Sequence, residues 1–199
     1  MKNLAIELST SRGSLAWLDG EIEFTREWPN DRKNSAAFFE NLQAVRRKFG
    51  APDTITVGLG PGSYAGTRIA ISAAIGIQLS CDARLIGYPS ICAMESDGQE
   101  YCAIGDARRN SFFFARILKN EVIEGPTLLS ELELKARLES VDPATPVFSS
   151  ELLPQFHRPL ISFPSALILA TLAKEPRRSF CLPPLEPIYL REPHITMPK

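Results

Sequence analysis

Residues 58–66, GLGPGSYAG, set four glycines and a proline ahead of a run, Ser63 to Leu79, that reads as a helix. Three chemistries use a loop of this kind, and each needs further residues. A phosphate loop of the G-x-x-x-x-G-K-[ST] type needs a lysine to reach the phosphates, and no lysine follows any of these glycines. Gly60-Pro61-Gly62-Ser63-Tyr64-Ala65 matches the degenerate dinucleotide pattern G-x-G-x-x-[GA], with Asp82 about 20 residues on, where a ribose-binding acid would stand. That fingerprint opens the first β-α-β unit of a parallel sheet, whereas a three-strand meander and a helix precede it here. A nucleophile elbow, G-x-S-x-G, would centre on Ser63, but Pro61 and Ala65 replace its glycines, and the histidines are only His157 and His194. A structural role explains Ser63 better: its hydroxyl caps the helix by accepting from a backbone N–H two or three residues on.

Other clusters carry less. Glu7 and Asp106 end two strands, in the slots where an ATPase would hold a metal-bound acid, yet no lysine or phosphate cradle surrounds them. Arg108-Arg109 lies in a surface hairpin, and Arg46-Arg47-Lys48 complements the dipole at the end of a helix. The four cysteines, Cys81, Cys92, Cys102 and Cys181, form no C-x-x-C pair, so zinc is not expected. With 22 basic against 23 acidic residues the net charge is −1, too little for a field that gathers nucleic acid or membrane. The apolar spans Ile69–Leu79 and Ala166–Ala173 fall short of the roughly 20 residues of a membrane helix. No signal peptide is read at the start, and the chain is expected in the cytoplasm.

The elements that position these residues follow two plans. Leu4–Leu8, Ser14–Leu18 and, after the Asp19-Gly20 turn, Glu21–Trp28 read as strands. Phe38, Leu42, Val45 and Phe49 then repeat at helical spacing, capped by Asn34 or Ser35 and stopped by Gly50. Strand Thr54–Gly58, helix Ser63–Leu79, strand Ala83–Ile86 and a short helix Pro89–Glu95 complete the first unit. A second begins with strands Tyr101–Gly105, Ser111–Leu118 and Glu121–Gly125 and helix Ser130–Ser140, then runs into proline-rich turns at Pro183-Pro184, Pro187 and Pro193. AIELSTSRGSLAWLDGEIEF and AIGDARRNSFFFARILKNEVIEG share strand, acidic end, polar loop, strand, two-residue turn and strand, which suggests a duplicated unit. The expectation is an α/β chain of two facing β-β-β-α-β-α lobes, residues 1–97 and 98–199, the second shortened, in the actin-like ATPase (ribonuclease H-like) fold.

The second helix has few polar side chains on any face. A helix without a wet side is covered either wholly by its own domain or by a partner. The stripe Ala65, Ile69, Ser72, Ala73 and Gly76 would admit another helix, and Phe38, Phe39, Leu42 and Val45 could supply anchors.

LAIELSTSRGSLAWL, GLGPGSYAGTRIAISAAIGI, IGDARRNSFFFA and EPIYLRE resemble, in that order, the TsaB (YeaZ) family, the non-catalytic partner in bacterial tRNA threonylcarbamoyladenosine synthesis. Gly60, Pro61, Gly62, Ser63 and Gly66 belong to its motif G-x-G-P-G-S-[FY]-x-G-x-R-I. The resemblance implies the actin-like fold, a heterodimer with the catalytic paralogue TsaD, and a complex completed by the ATPase TsaE. That complex transfers a threonylcarbamoyl group from its adenylate to N6 of adenosine 37. It further implies no catalytic residue, metal or cofactor of the chain's own, with ATP or ADP only in the assembly, tRNA met only through the complex, and a homodimer as an option when alone. The chain departs from the family in reading Ile6-Glu7-Leu8-Ser9-Thr10 where I-D-T-S-T is usual. The catalytic paralogue's H-x-x-x-H metal pair has no counterpart in RKNSAAFFEN, which opposes an M22-type peptidase. An independent actin-like ATPase or kinase is the other rival.

Overall fold

A computed structural model describes residues 1–30 and 35–191. Strands β1 (Asn3–Glu7), β2 (Arg12–Asp19) and β3 (Ile22–Pro29) form an antiparallel meander turning at Gly20, whose φ of 59° suits a residue without Cβ. Helix α1 (Ala36–Phe49) follows and stops at Gly50 (φ 83°). Ser35 makes no side-chain cap, and Asn34, the other capping candidate, lies outside the described residues. β4 (Thr54–Gly58), α2 (Tyr64–Cys81) and β5 (Arg84–Tyr88) complete a five-stranded sheet of order β3-β2-β1-β4-β5, β4 and β5 joining in parallel. A 3₁₀ turn at Ser90–Ala93 stands where a short helix was expected.

The plan then repeats. β6 (Glu100–Asp106), β7 (Ser111–Leu118) and β8 (Glu121–Ser130) form a second meander, turning through Lys119 and Asn120, both at positive φ. α3 (Glu131–Ser140) opens with a Ser130–Glu133 capping box. β9 (Val147–Ser149) and β10 (Leu160–Ile161) close a second sheet of order β10-β9-β6-β7-β8. The two sheets share one topology, as a duplication requires. The second unit is shorter because residues 150–159 form irregular chain where the first unit has the 18-residue α2. Sequence reading assigned neither β9 and β10 nor the helix that follows, α4 (Ala166–Leu172), which is apolar, short and without a clear period.

Alternation within the strands divides the core. Leu4 and Ile6 of β1, Leu15 and Trp17 of β2, and Ile55 and Val57 of β4 face α1 and α2. On the other side Ala5, Ala16 and Leu18 meet α4 and the second sheet's Ala103, Phe113, Ala115 and Ile117, in a core shared by both lobes. Small residues there let α4 come close, and Asn3 Nδ2 donates to the Ala170 carbonyl across the contact (3.2 Å). Although α4 lies in the second half of the chain, it packs on β1, β2 and β4 of the first sheet. A third cluster joins α3 to the outer face of the second sheet. Among the described residues no helix is long and apolar enough to cross a membrane.

Candidate functional site

The glycine loop lies against the exit of β1. A Cβ at Gly62 would stand 2.2 Å from the Ser9 carbonyl oxygen, and one at Gly66 would stand 2.1 Å from that of Leu8. These glycines therefore serve a backbone-to-backbone approach. The Ser63 N–H donates to the Ser9 carbonyl (2.6 Å), and the Ser63 hydroxyl accepts from the Gly66 N–H (3.2 Å), the helix cap read from the sequence. Gly60, at φ 88°, carries the chain into Pro61.

Below this loop sits Glu7, fully buried. Its Oε1 accepts from the Ser9 N–H (2.6 Å) and its Oε2 from the Ser90 hydroxyl (2.6 Å), which in turn accepts from the Gly60 N–H (2.9 Å). Burial pushes its carboxyl above the ordinary value, while hydrogen bonds from Ser9 and Ser90 pull the other way. A Cβ at Gly58 would fall 1.7 Å from Glu7 Oε2, so Gly58 seals the carboxylate in. The acid slot of the first lobe thus ties β1 to the glycine loop and Ser90.

Its counterpart Asp106 lines an open cleft of about 510 Å³ between the lobes. Asp106 accepts from the Arg108 N–H (2.6 Å) and from Arg108 Nη1 (3.3 Å), and its own N–H donates to Glu151 (2.8 Å). Ser9, Thr10, Ser11, Gly62 and Ser63 line the first-lobe wall, Asp106, Arg108, Phe113 and Glu151 the second, and Pro187 to Arg191 the mouth. Arg108, Arg109 and Asn110 all hold positive φ, an uncommon run for residues with side chains. Among the described residues no group of three His, Cys, Asp or Glu side chains could hold a metal ion. His157 is exposed on the β9–β10 segment, and His194 lies outside the described residues.

The expected interface stripe divides. Ala65, Ser72 and Gly76 are exposed on α2, and a Cβ at Gly76 would meet nothing within 4 Å. Ile69 and Ala73 are half-buried against their own lobe. On α1 the expectation of outward anchors needs correction: Phe38, Leu42 and Val45 are buried under the first sheet, and only Phe39, 50% exposed, faces outward. The spacing that marked them as a stripe is that of a core stripe, because an isolated sheet face must bury its apolar side. Sequence reading missed Ile75 (40% exposed) and Leu79 (83%), which continue the outer face of α2. It also missed a cluster at that helix's start. The Tyr64 ring packs on Tyr189 (centroids 5.3 Å apart), and Arg68 lies over Tyr64 (5.1 Å) while donating to its hydroxyl. Tyr64 and Arg68 are i, i+4 neighbours legible in sequence, but nothing local announces Tyr189. Arg47 and Lys48 are exposed, as a solvated helix end would be, with Lys48 Nζ over the Phe24 ring (4.6 Å).

Two lobes of one strand order, facing each other across a cleft, define an actin-like (ribonuclease H-like) fold. A structure titled as an uncharacterized protein with similarity to peptidase YEAZ from Pseudomonas aeruginosa superposes with TM-score 0.73 at 22% identity, covering 96% of this chain and 99% of that one. YeaZ from Pseudomonas aeruginosa superposes with TM-score 0.67 at 20% identity, covering 86% and 90% respectively. No curated protein matches the chain at a significant level. Residues 35–135 match the family described as TsaD: tRNA N6-adenosine threonylcarbamoyltransferase, and the chain belongs to that family.

Proposed function

We propose that the chain is a non-catalytic scaffold subunit of the tRNA N6-threonylcarbamoyladenosine (position 37) synthesis complex, which binds and activates a TsaD-like paralogue. The observation that carries this reading is the outer face of α2. Ala65, Ser72 and Gly76 keep it low, and Ile75 and Leu79 leave it apolar, so a partner helix could approach closely and bury it. Family membership supplies the pathway. The first-lobe acid supports a non-catalytic role, since Glu7 is sealed beneath Gly58 and, among the described residues, no lysine lines the cleft to meet a phosphate. Nucleotide would then enter only in the assembled complex with a TsaE-like ATPase, tRNA would be met through that complex, and the same helix face could pair two copies when the chain is alone. Cytoplasmic residence goes with such a role.

The test is co-purification with the TsaD of the same cell. Gly76→Arg and Ser72→Glu place charge on open surface, so each variant should melt near the wild-type temperature. Each should nevertheless weaken the complex by several kcal/mol, because the new charge is desolvated without a counter-ion. Ile69→Glu and Ala73→Glu are poorer probes, since both side chains also pack against the lobe itself. Normal TsaD binding by folded Gly76→Arg and Ser72→Glu would refute the assigned face. The cleft keeps one rival open, an ATPase or kinase of the same fold; micromolar ATP affinity of the pure chain in calorimetry would favour it.

A further inference from the structure

We propose that the segment Cys181–Arg191 is a clasp that spans the two lobes and covers the mouth of the cleft. The segment leaves a fixed post. The Arg178 guanidinium donates to the Tyr88 hydroxyl of the first lobe (2.8 Å) and to the Lys119 and Asn120 carbonyls of the β7–β8 turn (both 3.1 Å). From there the chain pairs Cys181 with Gly87 on the outer side of β5, through two N–H to carbonyl bonds of 2.9 Å. Leu185 enters the first core, and the Ile188 N–H donates to the Leu59 carbonyl inside the glycine loop (2.8 Å). Tyr189 then stacks on Tyr64, and Arg191 crosses to the other lobe, where Nη2 donates to Ser111 Oγ at the start of β7 (2.5 Å).

The two ends of this clasp differ in strength. On the first lobe it is anchored by main-chain bonds and two apolar side chains packed into or against the core. On the second lobe, among the described residues, Leu190 packs only partly buried against the inter-lobe core, and the polar tie is one exposed arginine on one serine hydroxyl. An exposed single contact contributes little against the entropy of ordering a long side chain, so release begins at Arg191 while Ile188 stays docked. Opening frees the cleft wall that includes Asp106 and Arg108, and it loosens Tyr189 from the first turn of α2. The cleft and the start of α2 are thereby linked through one short segment. This inference stands apart from the scaffold reading, because it concerns the chain alone.

Hydrogen exchange and limited trypsin digestion of the full-length protein test it. Arg191→Ala cuts the far tie and Tyr189→Ala the near one; both side chains lie outside the core clusters, and melting curves verify that each variant folds. In Arg191→Ala, amides of residues 107–113 and of Tyr189 and Leu190 should exchange several-fold faster, with Ile188, β4 and α1 unchanged. Trypsin should cut after Arg108 or Arg109 several-fold faster in the same variant. In Tyr189→Ala the faster exchange should extend to the first turn of α2. Wild-type exchange and cutting in both variants would overturn the clasp. A uniform rise that includes β4 would overturn it too, since that marks general destabilisation.

Discussion

Replacing Gly58 with alanine would set a methyl carbon 1.7 Å from Glu7 Oε2, 2.6 Å from Ser90 Oγ and 2.8 Å from Glu7 Cδ. Both neighbours are side chains, but neither is free to swing, for Glu7 and Ser90 are fully buried and bonded to each other. If the backbone shifts to make room, overpacking costs about 1–3 kcal/mol. If the carboxylate turns away instead, the Ser90 hydroxyl and the Ser9 N–H lose their acceptor, at about 1–3 kcal/mol each. Between the two responses the cost lies at about 1–6 kcal/mol, up to a large part of the 5–15 kcal/mol typical of a whole domain. At about 2–4 °C per kcal/mol for a chain of this size, melting should fall by roughly 2–24 °C. Thermal melting at pH 7, repeated in a Glu7→Ala background, isolates the cause. With the carboxylate gone the 1.7 Å clash disappears and only the 2.6 Å approach to Ser90 Oγ remains, so Gly58→Ala should cost measurably less there. Melting of Gly58→Ala within about 2 °C of wild type, or an equal cost in both backgrounds, would refute the placement of Glu7 beneath the glycine loop.

Glu7 also predicts a pH dependence. Its folded carboxyl titrates above the ordinary 4.5, so folding favours the protonated form, and that stability is present below pH 4.5 and lost as pH rises through the folded value, about 1.4 kcal/mol per unit of displacement. Glu7→Gln cannot ionise, so its melting temperature relative to wild type should climb as pH rises from 4.5; a constant difference up to pH 8 would contradict this. Among the thiols, burial pushes Cys92 up to about 12 and raises Cys102, whereas Cys181 is exposed. A thiol reagent at pH 8 should label Cys181 first and Cys92 only on unfolding, as peptide mapping would reveal. Arg158 donates to the carbonyls of Leu138, Val141, Asp142 and Thr145, where α3 ends. Arg158→Ala should cost about 1.5–3 kcal/mol by thermal melting, and no loss would mean that water replaces the guanidinium there.

Local chemistry settled more of the fold than of the site. β4 and β7 run over the residues that their apolar, β-branched and aromatic content marks, and α2 begins just after the serine that caps it. Repetition of the meander, with its acidic end and two-residue turn, disclosed the duplicated plan, because those signals lie within about 20 residues of one another. β9, β10 and α4 were not legible: a strand of two or three residues, or one turn or two of unbroken apolar helix, has no period to detect. They exist because the second sheet and the inter-lobe core complete them.

The site divides along the same line. Periodicity determined that Phe38, Leu42 and Val45 share a face and that Ala65, Ser72 and Gly76 share another. Which face turns inward was decided by the sheet, because either stripe is apolar enough to be covered and only the packed strands choose one. Glu7 and Asp106 hold equivalent places in the two sequence units, yet one is sealed under Gly58 and the other opens on the cleft. That difference comes from residues more than 40 positions away, Gly58 and Ser90 for the first and Glu151 for the second. Residue types and spacing determined the two lobes, the glycine turn and its cap; burial, the cleft and the strap across it were decided by contacts between distant parts of the chain, where local sequence carries no record of what will lie alongside.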